Sequence, residues 1–344
     1  MSYRLNLFIR KTLLIILSDN VTVIYPKFVP LPPLECFRRK LGDYLAWIVN
    51  RTIIKRKIHF DLIHAHFTWK NGYIGVKLGN LYKRPTILTV HENRDWLLEE
   101  YKSKDENIYW AWKNASAIIR VNRADIPMLR KFNSNVFYIP NGYSPKRLPL
   151  IEKDKARSHL GLHLDAKILF SLGALIERKG FQYLIEALYL IAKERDDIIC
   201  YIGGRGPFKD KLQEQIDNFS LQKNVKLLGF VPEEKLKYWM NAADMFVLPS
   251  LSEGNPTVMF EALGVGLPFI GTTVGGIPEI IHSGDYGLLC PPADPECLAE
   301  KILIALEKEW DRRKIRKYAE QFTWENIVKK IVWIYSRLLG DESD

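Results

Sequence analysis

Short apolar runs alternate with longer stretches of helical spacing along most of the 344-residue chain. The runs at 168–172 and 245–248 have the length of buried parallel strands, and a glycine or a proline follows each of them. Strands that alternate with helices are typical of an α/β fold with parallel sheets. Because the chain is too long for one typical domain, the pattern predicts two Rossmann-like domains that face a cleft.

The beginning of the chain predicts a helix, a strand and a basic amphipathic stretch. Residues 3–17 are apolar on much of a helical circumference, and residues 21–26 predict a strand closed by Pro26. At 28–57, basic residues alternate with aromatic and aliphatic ones. Such a stretch fits a membrane surface that carries anionic lipid. An ordinary surface helix with a solvated basic face explains the same residues equally well.

Charge is distributed unevenly between the two halves of the chain. Residues 1–150 hold 25 Lys and Arg against 11 Asp and Glu, whereas the remainder holds 25 against 29. The basic half therefore indicates an anionic partner for the first domain, such as phospholipid, a lipid phosphate or nucleic acid. Because no nucleic-acid recognition module accompanies the basic half, we expect no nucleic-acid partner.

Cysteine usage and apolar run length bear on the cellular compartment. The four cysteines form no CxxC pair and have no histidine at zinc spacing, so we interpret them as thiols of a reducing compartment. The apolar run near the start is too short for a signal peptide, and no run is long enough to span a bilayer. We therefore expect a cytoplasmic protein, with peripheral attachment at the inner face of the membrane as an open alternative.

The strongest candidate site lies at 245–280, MFVLPSLSEGNPTVMFEALGVGLPFIGTTVGGIPEI. A loop at 253–256 follows the predicted strand, and helical spacing starts near Thr257 and places Glu261 in the first turns. Backbone N–H groups at such a helix N-terminus suit an anionic phosphate. The carboxylates of Glu253 and Glu261 can accept hydrogen bonds from sugar hydroxyls. For a lone pair of glutamates, a helix cap and a solvated side chain are the simpler explanation.

The complete string is more specific than its two glutamates. Glu253 and Glu261 have seven residues between them, and GLP and VGGIPE follow. This string resembles the donor site of the family 4 retaining glycosyltransferases, which have the GT-B fold of two facing Rossmann-like domains. The resemblance covers nearly all of residues 18–339 and is densest from 168 to 292. It implies an acceptor-side domain at 1–148, a nucleotide-sugar-binding domain at 149–322, and a helix at 323–344 that returns to the first domain.

The resemblance also implies roles for single residues of the second domain. Glu253 would hold the sugar hydroxyls and stabilise positive charge near the ring, and Glu261 would hold the ribose hydroxyls. Lys179, which follows the glycine turn at Gly173, would grip the diphosphate. Backbone N–H groups for the phosphate would come from the segment formed by Gly254, Asn255, Pro256 and Thr257.

In the first domain, the resemblance concerns two strands that end in histidines. PTILTVHEN at 85–93 ends a strand at His91, which matches the family's histidine that hydrogen-bonds the donor sugar. DLIHAH at 61–66 ends at His66, which would line the acceptor side. For His64 and His66, a strand-end histidine bonded to the backbone is the simpler explanation.

Three departures from the family pattern carry expectations of their own. The family's diphosphate-binding arginine is Ala174 here, and we hypothesise that Arg178 supplies the second cation, with a solvated loop charge as the alternative. The family's glycine after the histidine is Glu92, so the resemblance does not define the shape of the local loop. The chain starts at or inside the family's first helix, so we expect the first strand and its glycine-rich loop to be missing from the first domain.

The activity implied is transfer of a sugar from a nucleoside diphosphate sugar to a hydroxyl of a lipid-linked or saccharide acceptor, with retained anomeric configuration. Its setting would be glycolipid or surface polysaccharide synthesis. The sequence holds no Asp-x-Asp triplet, so we expect transfer without a metal ion or any other cofactor. Two alternatives share the architecture, namely a GT-B epimerase or phosphorylase and an inactive or truncated remnant.

Overall fold

The computed structural model describes residues 13–18, 20–26 and 38–340. The described chain begins with an antiparallel hairpin of β1 (Leu13–Ser18) and β2 (Val21–Tyr25). The strand predicted at 21–26 is confirmed. The helix predicted at 3–17 is wrong from residue 13 onward, and residues 1–12 lie outside the described residues. Two apolar runs with β-branched residues, separated by two residues in the sequence, favour a hairpin over a helix.

The first sheet is parallel and has the strand order β3-β4-β5-β6 among the described residues. Its strands are β3 (Ile63–His66), β4 (Thr86–Val90), β5 (Ala117–Arg120) and β6 (Val136–Tyr138). Every residue of β4 and β5 is buried because helices cover both faces of the sheet. The helices of this half are α1 (Arg38–Lys55), α2 (Tyr73–Tyr82), α3 (Arg94–Ser103), α4 (Glu106–Asn114) and α5 (Ile126–Leu129).

The second sheet is also parallel and has the strand order β12-β11-β10-β7-β8-β9. Its strands are β7 (Lys167–Leu172), β8 (Ile198–Gly203), β9 (Val225–Gly229), β10 (Met245–Leu248), β11 (Phe269–Thr272) and β12 (Gly287–Cys290). The helices are α6 (Lys153–Leu160), α7 (Phe181–Ala192), α8 (Lys209–Asn218), α9 (Glu233–Ala242), α10 (Thr257–Gly264), α11 (Ile277–Ile280), α12 (Pro295–Glu307), α13 (Arg312–Ala319) and α14 (Trp324–Leu339). Strand order reverses between β7 and β10, and ligands of open α/β sheets bind at the carboxyl ends of strands beside such a point.

The last helix, α14, packs on the first sheet. Ile327 and Ile334 of α14 are buried in one cluster with Ile87 and Ile119 of the central strands. The chain therefore crosses between the two halves twice. The crossings lie side by side, since Tyr143 N–H donates to the Phe322 carbonyl at 3.0 Å and Trp324 N–H donates to the Tyr143 carbonyl at 2.9 Å.

The basic stretch predicted at 28–57 forms α1 where it is described, and residues 27–37 lie outside the description. α1 exposes Trp47 and Ile54 to solvent, at 52% and 64% of their surface. Within the described ranges, no helix has the length and apolar character that crossing a bilayer requires.

Candidate functional site

A cavity of about 530 Å³ lies between the carboxyl ends of strands from both sheets. His66 at the end of β3 and His91 directly after β4 line the cavity from the first half. Arg178 and residues 253–257 line it from the second half, and Asn141 joins them at the first crossing. Eight of the eleven predicted site residues therefore line this cavity, because parallel strands bring their carboxyl ends to one edge of a sheet. They are His66, His91, Arg178, Glu253, Gly254, Asn255, Pro256 and Thr257, whereas Gly173, Lys179 and Glu261 are not among its lining residues.

Glu253 is a buried side chain of the second half that contacts several polar groups. Only 5% of Glu253 is exposed, and its Oε1 atom lies 2.5 Å from Lys179 Nζ and 2.6 Å from Ser250 Oγ. Arg178 Nη1 lies 3.6 Å from the other oxygen of Glu253 and donates to the Ser252 carbonyl at 2.5 Å. The structure thus brings together the lysine, the substitute arginine and the first glutamate of the sequence motif. A buried carboxylate flanked by two cations is a built polar site rather than a solvated loop.

Glycines let the loop after β10 approach its neighbours closely. A Cβ atom at Gly254 would lie 3.0 Å from the His91 carbonyl oxygen, so the loop passes directly over the end of β4. Gly275 has φ of +55°, and a Cβ atom there would lie 2.1 Å from the Glu253 carbonyl oxygen. Gly173 lies against the aliphatic stem of Lys179, at 3.5 Å from a built Cβ to Lys179 Cδ. These approaches place backbone and charged side chains around a single crevice.

Glu261 lies one turn into α10 and is 3% exposed. Its carboxylate pairs with Arg147, which also grips Glu233 with Nη2 to Oε2 at 2.7 Å. Burial raises the pKa of Glu261, and the adjacent Arg147 opposes that rise. The sequence analysis missed Arg147, which lies at the end of the predicted first domain.

The first half contributes a row of three histidines. His66 Nδ1 lies 2.8 Å from His91 Nε2, and the ring of His66 stacks on that of His64 at 4.5 Å between centroids. His64 bonds the Tyr335 hydroxyl at 2.5 Å and the Thr89 hydroxyl at 2.7 Å. The expectation that His64 and His66 bond only to backbone is therefore wrong, since both bond to side chains.

The surroundings of the three histidines lower their pKa values, which favours neutral rings. Burial, followed by the nearby His66 and His91, lowers the pKa of His64 to about 4. Burial lowers the pKa of His91 to about 4 as well, followed by the effect of His66 and of Arg120. The pKa of His66 is also lowered by burial. Neutral rings both donate and accept, so this wall of the cavity offers hydrogen bonds without fixed charge.

Glu92, which stands where the resemblance places a glycine, is fully buried. Its Oε1 atom accepts the N–H of Thr68 at 2.5 Å, while Oε2 has no hydrogen-bond partner among the described residues. Burial raises the pKa of the Glu92 carboxyl, against the opposing hydrogen bond from Thr68. The side chain therefore connects the loops after β3 and β4.

Two sets of hydrogen bonds join the halves beside the cavity. Asn141 N–H donates to Asn255 Oδ1 at 2.8 Å, and Asn141 Nδ2 donates to the Asn255 carbonyl at 2.6 Å. The Glu279 carboxylate accepts the N–H groups of Arg123 and Ala124 at 2.8 and 2.9 Å. Sequence reasoning found the VGGIPE string but not these contacts. These contacts depend on how the two halves pack against each other.

Comparisons with known proteins give the family. The family described as Glycosyl transferases group 1 matches residues 152–322, and Glycosyltransferase Family 4 matches residues 16–147. The Bacillus subtilis glycosyltransferase TuaC, named for teichuronic acid biosynthesis, is 32% identical over 79% of this chain and 70% of its own length. The Erwinia amylovora amylovoran biosynthesis glycosyltransferase AmsK is 27% identical over 86% of this chain and 74% of its own length.

Solved structures agree on the fold. The sucrose-phosphate synthase of Thermosynechococcus elongatus superimposes with a TM-score of 0.78 at 23% identity, covering 95% of this chain and 86% of its own. HepE of Anabaena, solved in complex with UDP, gives a TM-score of 0.73 at 22% identity, covering 85% and 82%. The predicted pair of Rossmann-like units in a GT-B arrangement is confirmed. The chain belongs to the family 4 glycosyltransferases of GT-B fold and is a transferase enzyme.

Proposed function

We propose that the chain transfers a sugar from a nucleoside diphosphate sugar to an acceptor hydroxyl, with retention of the anomeric configuration. The observation that carries this proposal is the ion pair between Lys179 and the buried Glu253, which lines the cavity between the halves. HepE, a structural neighbour, was also solved in complex with UDP-glucose, which supports a nucleotide sugar as donor for this chain.

The donor diphosphate would lie between the cations and the start of α10. Arg178 and Lys179 stand on one side of the loop, and Thr257 begins the helix on the other. Cations and a helix N-terminus both stabilise the negative charge that builds on a leaving diphosphate. Because Glu253 lies 2.5 Å from Lys179, it would contact the sugar next to the phosphate that the lysine grips.

The chemical step would need no protein nucleophile. As the bond from the anomeric carbon to the diphosphate breaks, the acceptor oxygen forms its bond to that carbon on the same face. An oxygen of the leaving diphosphate takes the proton of the acceptor hydroxyl. Glu253 would stabilise the positive charge on the sugar ring, and the neutral His91 across the cavity would hydrogen-bond a sugar hydroxyl.

Glu261 would bind the ribose hydroxyls. Its carboxyl group is buried beside Arg147, and carboxylate oxygens can accept hydrogen bonds from O–H donors. We also propose that transfer is independent of metal ions, with Arg178 and Lys179 meeting the diphosphate charge. Activity should then be unchanged by EDTA, and a loss restored by Mg²⁺ would contradict this part.

The setting we propose is surface polysaccharide or glycolipid synthesis. TuaC and AmsK are named for teichuronic acid and amylovoran biosynthesis, which supports this setting and a saccharide or lipid-linked acceptor. Exposed Trp47 and Ile54 beside Arg51 and Lys55 on α1 support peripheral binding to an anionic membrane from the cytoplasm. Binding to vesicles with anionic lipid, but not to neutral vesicles, tests that attachment.

A donor panel tests the proposed reaction. Thermal shift with nucleoside diphosphate sugars identifies a donor, since a ligand of the folded state raises the melting temperature. Nuclear magnetic resonance (NMR) of the product then reads its anomeric configuration. Free nucleotide and a retained linkage support transfer, whereas an isomerised nucleotide sugar indicates an epimerase. Sugar phosphate formed from inorganic phosphate indicates a phosphorylase, and donor binding without turnover across an acceptor panel indicates a remnant.

A further inference from the structure

His66 and His91 are joined ring to ring at the wall of the cavity. His66 Nδ1 lies 2.8 Å from His91 Nε2, and the ring planes are 17° apart. Both side chains line the cavity. A neutral imidazole carries one N–H and one bare nitrogen, so two neutral rings at this distance share a single proton between the facing nitrogens.

The shared proton couples the tautomers of the two rings. If His66 donates from Nδ1, then His91 accepts at Nε2 and carries its own proton on Nδ1. If His91 donates from Nε2, its Nδ1 is bare and can only accept. The state of His66 therefore decides whether the remaining nitrogen of His91 is a donor or an acceptor.

The His66 ring packs against a second histidine, His64. Its ring stacks on His64 at 4.5 Å between centroids and 24° between planes. Both nitrogens of His64 are engaged, one by the hydroxyl of Tyr335 on α14 and the other by Thr89 on β4. A ring with both nitrogens bonded resists rotation, and the stacked His66 ring is therefore supported on one face.

We propose that His66 is a positioning residue that fixes the ring orientation and the tautomer of His91. This inference rests on the proposed function, in which His91 hydrogen-bonds the donor sugar. It gives His66 a role that acts through another residue, in place of the acceptor-side role predicted from the sequence.

Two substitutions separate the hydrogen bond from the ring. His66→Phe keeps a ring that can stack on His64 but has no nitrogen for His91. His66→Asn loses the ring but places an amide where Nδ1 was, and that amide can donate or accept. Melting temperatures of both variants report whether the fold is intact.

The deciding measurement is the ¹⁵N chemical shifts of the histidine rings in the full chain at pH 7, without substrate. We expect His91 to show one tautomer in the unaltered protein, and shifts averaged between tautomers in His66→Phe. An averaged His91 in the unaltered protein, or an unchanged His91 in His66→Phe, would overturn the proposal. Because this readout needs no turnover, its outcome is separate from that of the proposed transferase reaction.

Steady-state kinetics gives a second readout. His66→Phe should lower kcat by about tenfold, the size of one neutral hydrogen bond, and leave donor Kd within about twofold. His66→Asn should retain kcat within about threefold. Equal losses in the two variants would show that ring packing alone matters and would contradict the positioning role.

Discussion

The two walls of the cavity hold their side chains in opposite ways. The second-half wall is charged, with Glu253 buried between Lys179 and Arg178. The first-half wall holds His66 and His91, which are bonded to each other and whose pKa values are lowered by burial. Charges that are already in place suit a group on which charge develops, whereas neutral rings suit hydroxyls. The difference indicates that the second-half wall suits the phosphate and the first-half wall suits the sugar.

The largest effect should come from the charged wall, at Glu253. Glu253→Gln keeps the shape and one oxygen acceptor for Lys179 and Ser250 but removes the negative charge. We expect kcat to fall by about a thousandfold, the upper range for loss of one charge-stabilising group. Steady-state kinetics with the donor identified by thermal shift measures this, and the melting temperature controls for folding. Full activity would remove Glu253 from its role.

The two cations should differ in their effects. Lys179→Met removes the close partner of Glu253, whereas Arg178→Met removes a cation 3.6 Å away. We expect kcat/KM to fall by about a hundredfold for Lys179→Met and about tenfold for Arg178→Met. Donor titrations by calorimetry give the binding part of each loss. If Arg178→Met is silent, its guanidinium serves only the Ser252 carbonyl and the loop.

A smaller effect should follow from loosening the contact between the walls. Glu279→Gln replaces one of the two oxygens that accept the N–H groups of Arg123 and Ala124. We expect kcat/KM to fall by about fivefold, because one charge-assisted bond between the halves is lost. Small-angle scattering should show a larger radius of gyration. Glu309→Gln makes the same charge change at an exposed site and should alter neither quantity.

The smallest effect concerns the stability of the folded protein at acid pH, through the buried His64. Folding lowers the pKa of His64 from an ordinary value near 6.5 to about 4. Between these values the unfolded chain binds a proton that the folded chain does not, so this contribution to stability is full above pH 6.5 and is lost as the pH falls toward 4. Melting temperatures across this window should fall less steeply in His64→Gln than in the unaltered protein. Parallel curves would contradict the assignment.

Sequence patterns predicted the parts of the site that are local in the chain. Lys179 and Glu253 each follow a buried strand, and strand order then brings the two loops to one edge. Arg147 and Glu279 escaped prediction because their partners lie 86 to 156 residues away, at contacts set by packing. The helix prediction at the start of the chain is wrong for a different reason. An apolar run without a clear period fits helix and strand alike, and pairing with the next run decided for β1.

The side-by-side crossings have a mechanical consequence. Tyr143 on the first crossing is hydrogen-bonded to Phe322 and Trp324 on the second, so two hydrogen-bonded backbone segments join the halves. A single backbone segment allows free rotation about its own axis. Two hydrogen-bonded segments that lie side by side resist this rotation and bend in one direction. Opening and shutting of the cleft would then follow one hinge axis, and the two walls would return to the same alignment after each turnover.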